Sequence, residues 1–310
     1  MRIEIRSAHA TRKIRNVLLL VVVMTAMSKP GGDVALGQNS TRTEAQASLF
    51  INALVPQLTY KGLGVYEVGP VQFILADPLG RRTGFDPISN TFFHDIPVSD
   101  YSTTVHEDEQ TGSTLGPPTQ SLVMANQMDG QYTLDVIGTG SGDFIIYVSA
   151  SDAAGNDITH SYFGTTAPGV TSRFTFPGEV NIFAAFGTTL KINSASKAFE
   201  VNGTFTLGQN AAISPMTQPV SIQMGQAYLV TIPAGSTIQT SQGVFDFKGT
   251  IRGIALEAHV MVTGSNRYAF AIKGAGEAKT TVLPHANPVD VHLAIGSSGG
   301  STSVDASFVR

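Results

Sequence analysis

Two strand-like runs carry the residues best suited to metal chemistry. Glu257 and His259 stand two positions apart on one run, and Asp290 and His292 do so on another. A strand sends alternate side chains to the same face, so each pair points one way. If the two strands are neighbours, two imidazoles and two carboxylates converge on a divalent cation such as zinc, the equipment of a small metal-dependent hydrolase. The plainer account is a solvated face. Asp152, Asn156 and Asp157 in a glycine turn, or Asp108 within His106-Glu107-Asp108-Glu109, offer oxygen ligands for calcium but lack the ordered spacing of a calcium loop.

The densest run of charge and turn chemistry is Asp77-Pro78-Leu79-Gly80-Arg81-Arg82-Thr83-Gly84-Phe85-Asp86. Asp-Pro opens a turn and Gly80 accepts positive φ, so the apolar run from Val71 to Leu75 stops and the chain returns as a hairpin. Arg81 and Arg82 between Asp77 and Asp86 make either a loop tied by local ion pairs, worth about 0–1 kcal/mol each when exposed, or a ligand-binding loop. Tyr66, Tyr101, Tyr132 and Tyr147 are candidates to line a sugar groove, against inward packing. The chain has seven histidines but no metalloprotease helix, nucleophile elbow or P-loop. Gly138-Thr139-Gly140-Ser141-Gly142 reads as a hairpin connector without the helix that a phosphate cradle requires.

Composition narrows the chemistry further. The 310 residues include no cysteine, which excludes disulfides, thiolate nucleophiles, zinc-thiolate sites and lipoprotein acylation. Tryptophan is absent too, which leaves only Tyr and Phe for stacking on sugars. The net charge is −4, with no basic stripe after the first residues, so the charge that nucleic-acid binding needs is missing. Charged residues make up only 14%, and glycine is abundant at 32, a balance typical of exported all-β proteins.

The elements that must position these residues follow in order. Arg12, Lys13 and Arg15 precede the apolar run Val17 to Met24, the pattern of a secretory signal rather than of a span, which takes about 18 apolar residues. Residues 1–37 read as a cleavable signal peptide, with Ala35-Leu36-Gly37 favoured as the cut over one near Ser28, and no membrane span is expected in the mature chain. Residues 38–62 read as a polar leader with a short helix at 43–54. From residue 63 the period becomes two. Val71, Phe73 and Leu75 share a face, as do Tyr132, Leu134 and Val136, and Phe144, Ile146 and Val148. Roughly seven strands in about 115 residues make 63–178 an immunoglobulin-like sandwich. Residues 179–310 continue the alternation through Phe199 and Val201, Ile254 to Val262, and Val289 to Ile295. They read as a second antiparallel domain, a sandwich or a partly open barrel. The fold class is all-β.

With Val71–Leu75, the Asp77–Asp86 loop, Asp129-Gly130-Gln131-Tyr132-Thr133-Leu134-Asp135-Val136 and the hairpin through Asp152–Asn156 in view, residues 65–178 resemble the immunoglobulin-like or fibronectin-like accessory modules of large secreted bacterial proteins. The Asp-Gly-x-Tyr-x-Leu-x-Val piece is similar to the penultimate strands of pre-peptidase-type domains. The resemblance implies location and architecture and carries no catalytic residues. The expected function is a non-enzymatic binding or scaffolding protein, secreted, periplasmic or on the cell surface, whose partner is an envelope or extracellular protein or a polysaccharide. No cofactor is required by this reading.

Overall fold

A computed structural model describes residues 4–5, 61–105, 118–152, 154–209, 211–225, 228–276 and 282–309. The expected helix at 43–54, the cleavage site and the acidic run 106–109 lie outside these residues. Runs that alternate apolar and polar residues, closed by glycine, asparagine and aspartate turns, become strands throughout. The first sandwich holds β1 (Glu4–Ile5), β2 (Gly62–Val68), β3 (Val71–Ala76), β4 (Arg82–Asp86), β5 (Thr91–His94), β6 (Ser99–Val105), β7 (Thr119–Ala125), β8 (Gln131–Gly138), β9 (Gly142–Ser151), β10 (Asp157–Thr166) and β11 (Thr171–Pro177). The second holds β12 (Asn181–Ile182), β13 (Ala185–Asn193), β14 (Ala198–Thr206), β15 (Val220–Met224), β16 (Tyr228–Ile232), β17 (Ile238–Ser241), β18 (Val244–Ile251), β19 (Ile254–Gly264), β20 (Arg267–Ala275), β21 (Val289–Ile295), β22 (Ser298–Val304) and β23 (Ser307–Val309). The chain is all-β, built of sandwiches with no sheet closed into a barrel.

Four sheets stack. Sheet I is ordered β1-β6-β7-β2-β9-β10 and sheet II β11-β8-β3-β4-β5; sheet III is β12-β22-β21-β15-β16 and sheet IV β17-β18-β19-β20-β14-β13-β23. Between I and II lies one core, with Leu63, Phe73, Leu75, Leu134 and Ile146 fully buried. A second core, between III and IV, gathers Ile192, Val201, Val291 and Ile295. Each large apolar side chain withdrawn from water contributes about 1.5–3 kcal/mol, so each sandwich has its own stabilising interior.

Two expectations need correction. The glycine run 138–142 does not join a hairpin: β8 pairs with β3 and β11 in sheet II, while β9 pairs with β2 and β10 in sheet I. The run carries the chain from one sheet to the other, held where Thr139 N donates to the Pro70 carbonyl at 2.8 Å. Alternation alone is the same for strands that pair and strands that face each other. The second domain is also not wholly antiparallel, because β12 and β23 run parallel to β22 and β13. Both are strands of two or three residues laid down where the chain enters the domain and where it leaves β22 for the other sheet.

The two sandwiches meet along β10, which packs on β15, β16, β21 and β22. Tyr66, Ile145, Tyr147 and Leu229 form a small apolar cluster in this seam. Every residue of β9 from Phe144 to Ser151 is buried, because one face serves the first core and the other the seam.

The hairpin of β3 and β4 gives a test of backbone constraint. Gly84 sits at φ 134°, and a Cβ there would lie 2.2 Å from the Phe73 carbonyl oxygen; Gly80 sits at φ 78° with open space around it. Gly84→Ala is expected to destabilise by more than about 3 kcal/mol and Gly80→Ala by about 1 kcal/mol, measured by denaturant unfolding.

Candidate functional site

The structure does not bring the four metal candidates together. Glu257 and His259 lie on β19 in sheet IV, and Asp290 and His292 on β21 in sheet III. Within their strands they alternate with core residues Ala258 and Val260, or Val291 and Leu293, so the two pairs face outward from opposite sides of the second sandwich. Glu257 is ion-paired with Lys248. His259 Nδ1 lies 2.5 Å from Asp246 Oδ1. Among the described residues no group of three or more His, Cys, Asp or Glu is placed to hold a metal ion. The Asp152 carboxylate is occupied by its own turn: it accepts from Ala154 N at 2.8 Å, Asn156 N at 2.9 Å and Asn156 Nδ2 at 2.8 Å. Asp157 instead faces His292 across the seam, and burial pushes its carboxyl upward while His292 acts in the opposite sense.

The Asp77–Asp86 loop divides into two separate devices. The Asp77 carboxylate is buried, accepts from Leu79 N at 2.9 Å, Arg81 N at 3.0 Å and Arg81 Nε at 2.6 Å, and so fixes the turn. The Arg82 guanidinium lies 3.8 Å above the Phe93 ring. Asp86 accepts from Ser89 Oγ at 2.7 Å and Ile88 N at 2.9 Å, and these bonds, the Ser89 hydroxyl first, hold its carboxyl below the usual range. Asp77 and Arg81 thus bond to each other, while Arg82 and Asp86 turn to other partners. The four tyrosines are all buried, Tyr132 completely. Tyr101 donates to Gln72 Oε1, and burial in the seam pushes the Tyr66 hydroxyl up to about 12.

A concave surface lies elsewhere, on the outer face of sheet IV. It is a groove of about 640 Å³. Register explains its shape. Lys191 on β13 pairs with Glu200 on β14, Glu200 with Lys273 on β20, Lys273 with Glu257 on β19, and Glu257 with Lys248 on β18. Five adjacent strands therefore carry one row of alternating charge, roughly 19 Å long, with a lysine about every 10 Å. Beside it runs a row of short side chains, Ala198, Ala275 and Ala255, between Asn193 and Thr250. The alanines form the floor, and the long charged side chains form one wall. Glu200 accepts from Asn202 Nδ2 at 3.0 Å and lies 3.5 Å from Lys273 Nζ. Asn202 first and Lys273 second hold its carboxyl low, Lys248 does the same for Glu257, and Glu257 in turn holds the Lys248 ammonium high.

Of the residues in this row, only Glu257 was singled out by sequence reasoning. A visible signal was available in the division of charge. Residues 61–178 carry thirteen Asp and Glu against four Lys and Arg, while 179–310 carry seven against eight. Lys197 and Arg252 stand in the turns at the same end of sheet IV as the groove.

No protein-family profile and no curated protein matches the chain. Among solved structures, an I-band fragment from titin, I67-I69, is similar at 8% identity and a TM-score of 0.17, covering 81% of this chain and 94% of that one. No helix of the described residues is long and apolar enough to cross a membrane.

Two buried carboxylates provide tests. Asp77→Ala strands the Leu79 and Arg81 donors and is expected to cost about 3 kcal/mol, and Asp86→Ala clearly less, both by denaturant unfolding. Glu67 is fully buried, accepts from Gln120 N at 3.0 Å and leaves Oε2 without a partner; burial pushes its carboxyl well above the usual range. A raised folded-state pKa stabilises the protonated fold at low pH and loses that contribution as pH rises through it. Glu67→Gln should therefore melt higher than the parent at pH 8–9 and lose the advantage below pH 5.

Proposed function

We propose that this chain is an exported, non-enzymatic binding or scaffolding protein of the cell envelope or extracellular space, and that the groove of sheet IV holds its ligand. The first sandwich, on this reading, is an immunoglobulin-like accessory module of the kind found in secreted bacterial proteins, and the second presents the binding face. The signal-like pattern before residue 38 and the low share of charged residues support export.

The observation that carries the binding role is the cross-strand row Lys191-Glu200-Lys273-Glu257-Lys248 beside its alanine floor. A trough crossing five strands accepts an extended chain better than a convex protein surface. Lysines at every second strand suit carboxylates spaced along such a chain. The glutamates between them, with Asn193 and Thr250, suit hydroxyl groups. A linear polysaccharide bearing carboxylates has both, and it is the ligand class this reading selects. The floor also holds no bulky side chain to block a sugar ring.

Affinity electrophoresis of the full chain tests this. Gels containing polygalacturonate should retard the protein, gels containing a neutral glucan should not, and added salt should weaken the effect. Lys273→Glu, at the centre of the row, is expected to reduce affinity at least tenfold with little change in melting temperature. Equal retardation by the neutral glucan, or unchanged binding by Lys273→Glu, would refute the assignment.

A further inference from the structure

The seam between the sandwiches contains a histidine with no ionic partner. His160 on β10 is 5% exposed, and both ring nitrogens are engaged by the second domain. Nε2 lies 2.7 Å from the Gly296 carbonyl oxygen and Nδ1 lies 2.6 Å from Ser221 Oγ. A carbonyl only accepts, so Nε2 carries the proton, and in the neutral ring Nδ1 must accept from the Ser221 hydroxyl. Ser221 Oγ then accepts from Thr231 Oγ1 at 2.7 Å, which itself accepts from Ser161 N at 2.9 Å and Ser161 Oγ at 3.1 Å. The bonds run in one direction from the first domain, through the second, and back to the first.

Ionisable residues on the strands packed against β10 are Asp143 and Tyr147 on β9, Tyr228 on β16, and Asp290 and His292 on β21, with Asp157 and Tyr162 on β10 itself. None of them occupies a nitrogen of His160. A proton added to this ring is a buried charge without a carboxylate to balance it, and it reverses the donor at Nδ1 that the Ser221–Thr231 chain is built to supply.

We propose that the seam is a pH-operated latch: protonation of His160 releases the second sandwich from β10 while each sandwich keeps its own core. The separate cores between sheets I and II and between III and IV allow the two bodies to part without unfolding. Burial pushes the His160 imidazole down to about 4, with the Gly296 carbonyl opposing. A histidine whose pKa is depressed in the docked state stabilises docking fully above its undocked value of about 6.5, and that contribution is lost as pH falls toward 4. Asp157, pushed upward by burial, works in the opposite sense and favours the docked state on acidification. Asp157→Asn removes this opposition.

The absence of cysteine permits a clean measurement. Ser89→Cys and Ser265→Cys, in exposed turns of the two domains, carry a donor and an acceptor dye on the full chain. Transfer efficiency is expected to change between pH 6.5 and 4, more sharply in Asp157→Asn, while the far-ultraviolet sheet spectrum stays constant. His160→Gln, which keeps a donor for Gly296 and cannot charge, should hold the efficiency constant over that range. The latch is overturned if the parent stays unchanged to pH 4, if His160→Gln follows the parent, or if the sheet spectrum is lost together with the signal. Should His160→Gln fail to fold, the ¹⁵N shifts of His160 in the parent decide. A ring protonated at Nε2 and neutral until the efficiency changes supports the latch, whereas one that charges near pH 6.5 without that change refutes it.

Discussion

The whole arrangement depends on the cost of leaving water along β9 and β10. β9 is buried on both faces from Phe144 to Ser151, so it cannot offer the usual wet side of an antiparallel sheet. Its seam-facing side chains are Ile145, Tyr147, Ser149 and Ser151, and the polar ones must be matched. Ser149 Oγ meets Thr159 Oγ1 at 2.9 Å, and Ser151 Oγ donates to the Gly62 carbonyl at 3.3 Å. Both bonds stay within sheet I, whereas His160 and Ser161 reach Ser221, Thr231 and Gly296 across the boundary, so the seam is part apolar cluster and part hydrogen-bond chain. The apolar part supplies attraction, and the polar part fixes one register of the domains, since a displaced interface would leave buried donors unmet.

Fixing that register leaves the outer face of sheet IV exposed on the side away from the first domain. The same alternation that sends Val201, Leu256 and Ile272 into the core sends Glu200, Glu257, Lys273 and their neighbours outward. Opposite charges directly across strands support pairing, so the row is compatible with the fold that bears it. What distinguishes it from an ordinary solvated face is the adjacent alanine row, which adds nothing to the core and leaves a trough.

Much of the architecture was legible in the residues. Phe73 and Leu75, Leu134 and Val136, and Leu256, Ala258 and Val260 were assigned to inward faces from their period of two, and all are buried. The Asp77–Arg81 contact and the paired strands flanking Asp152–Asn156 follow from turn chemistry alone. What alternation does not contain is partnership. It cannot tell that β8 and β9 part into different sheets, or that β19 and β21 lie in opposite layers of the second sandwich, so Glu257 and His259 could be placed on a strand but not beside Asp290 and His292. The groove escaped for the same reason: Lys191, Glu200, Lys273, Glu257 and Lys248 are spread over 83 residues of chain and become one row only through register.

The edges of the second domain have a further consequence. Sheet IV ends on β17 and β23, strands of four and three residues, and sheet III ends on the two-residue β12 and on β16, which lies against β10 of the first domain. A long free edge is a template on which a foreign strand can add and propagate a fibril, and strands this short or this covered provide almost none. The second sandwich thereby ends, on both of its sheets, in strands that give a copy of the chain little to add to.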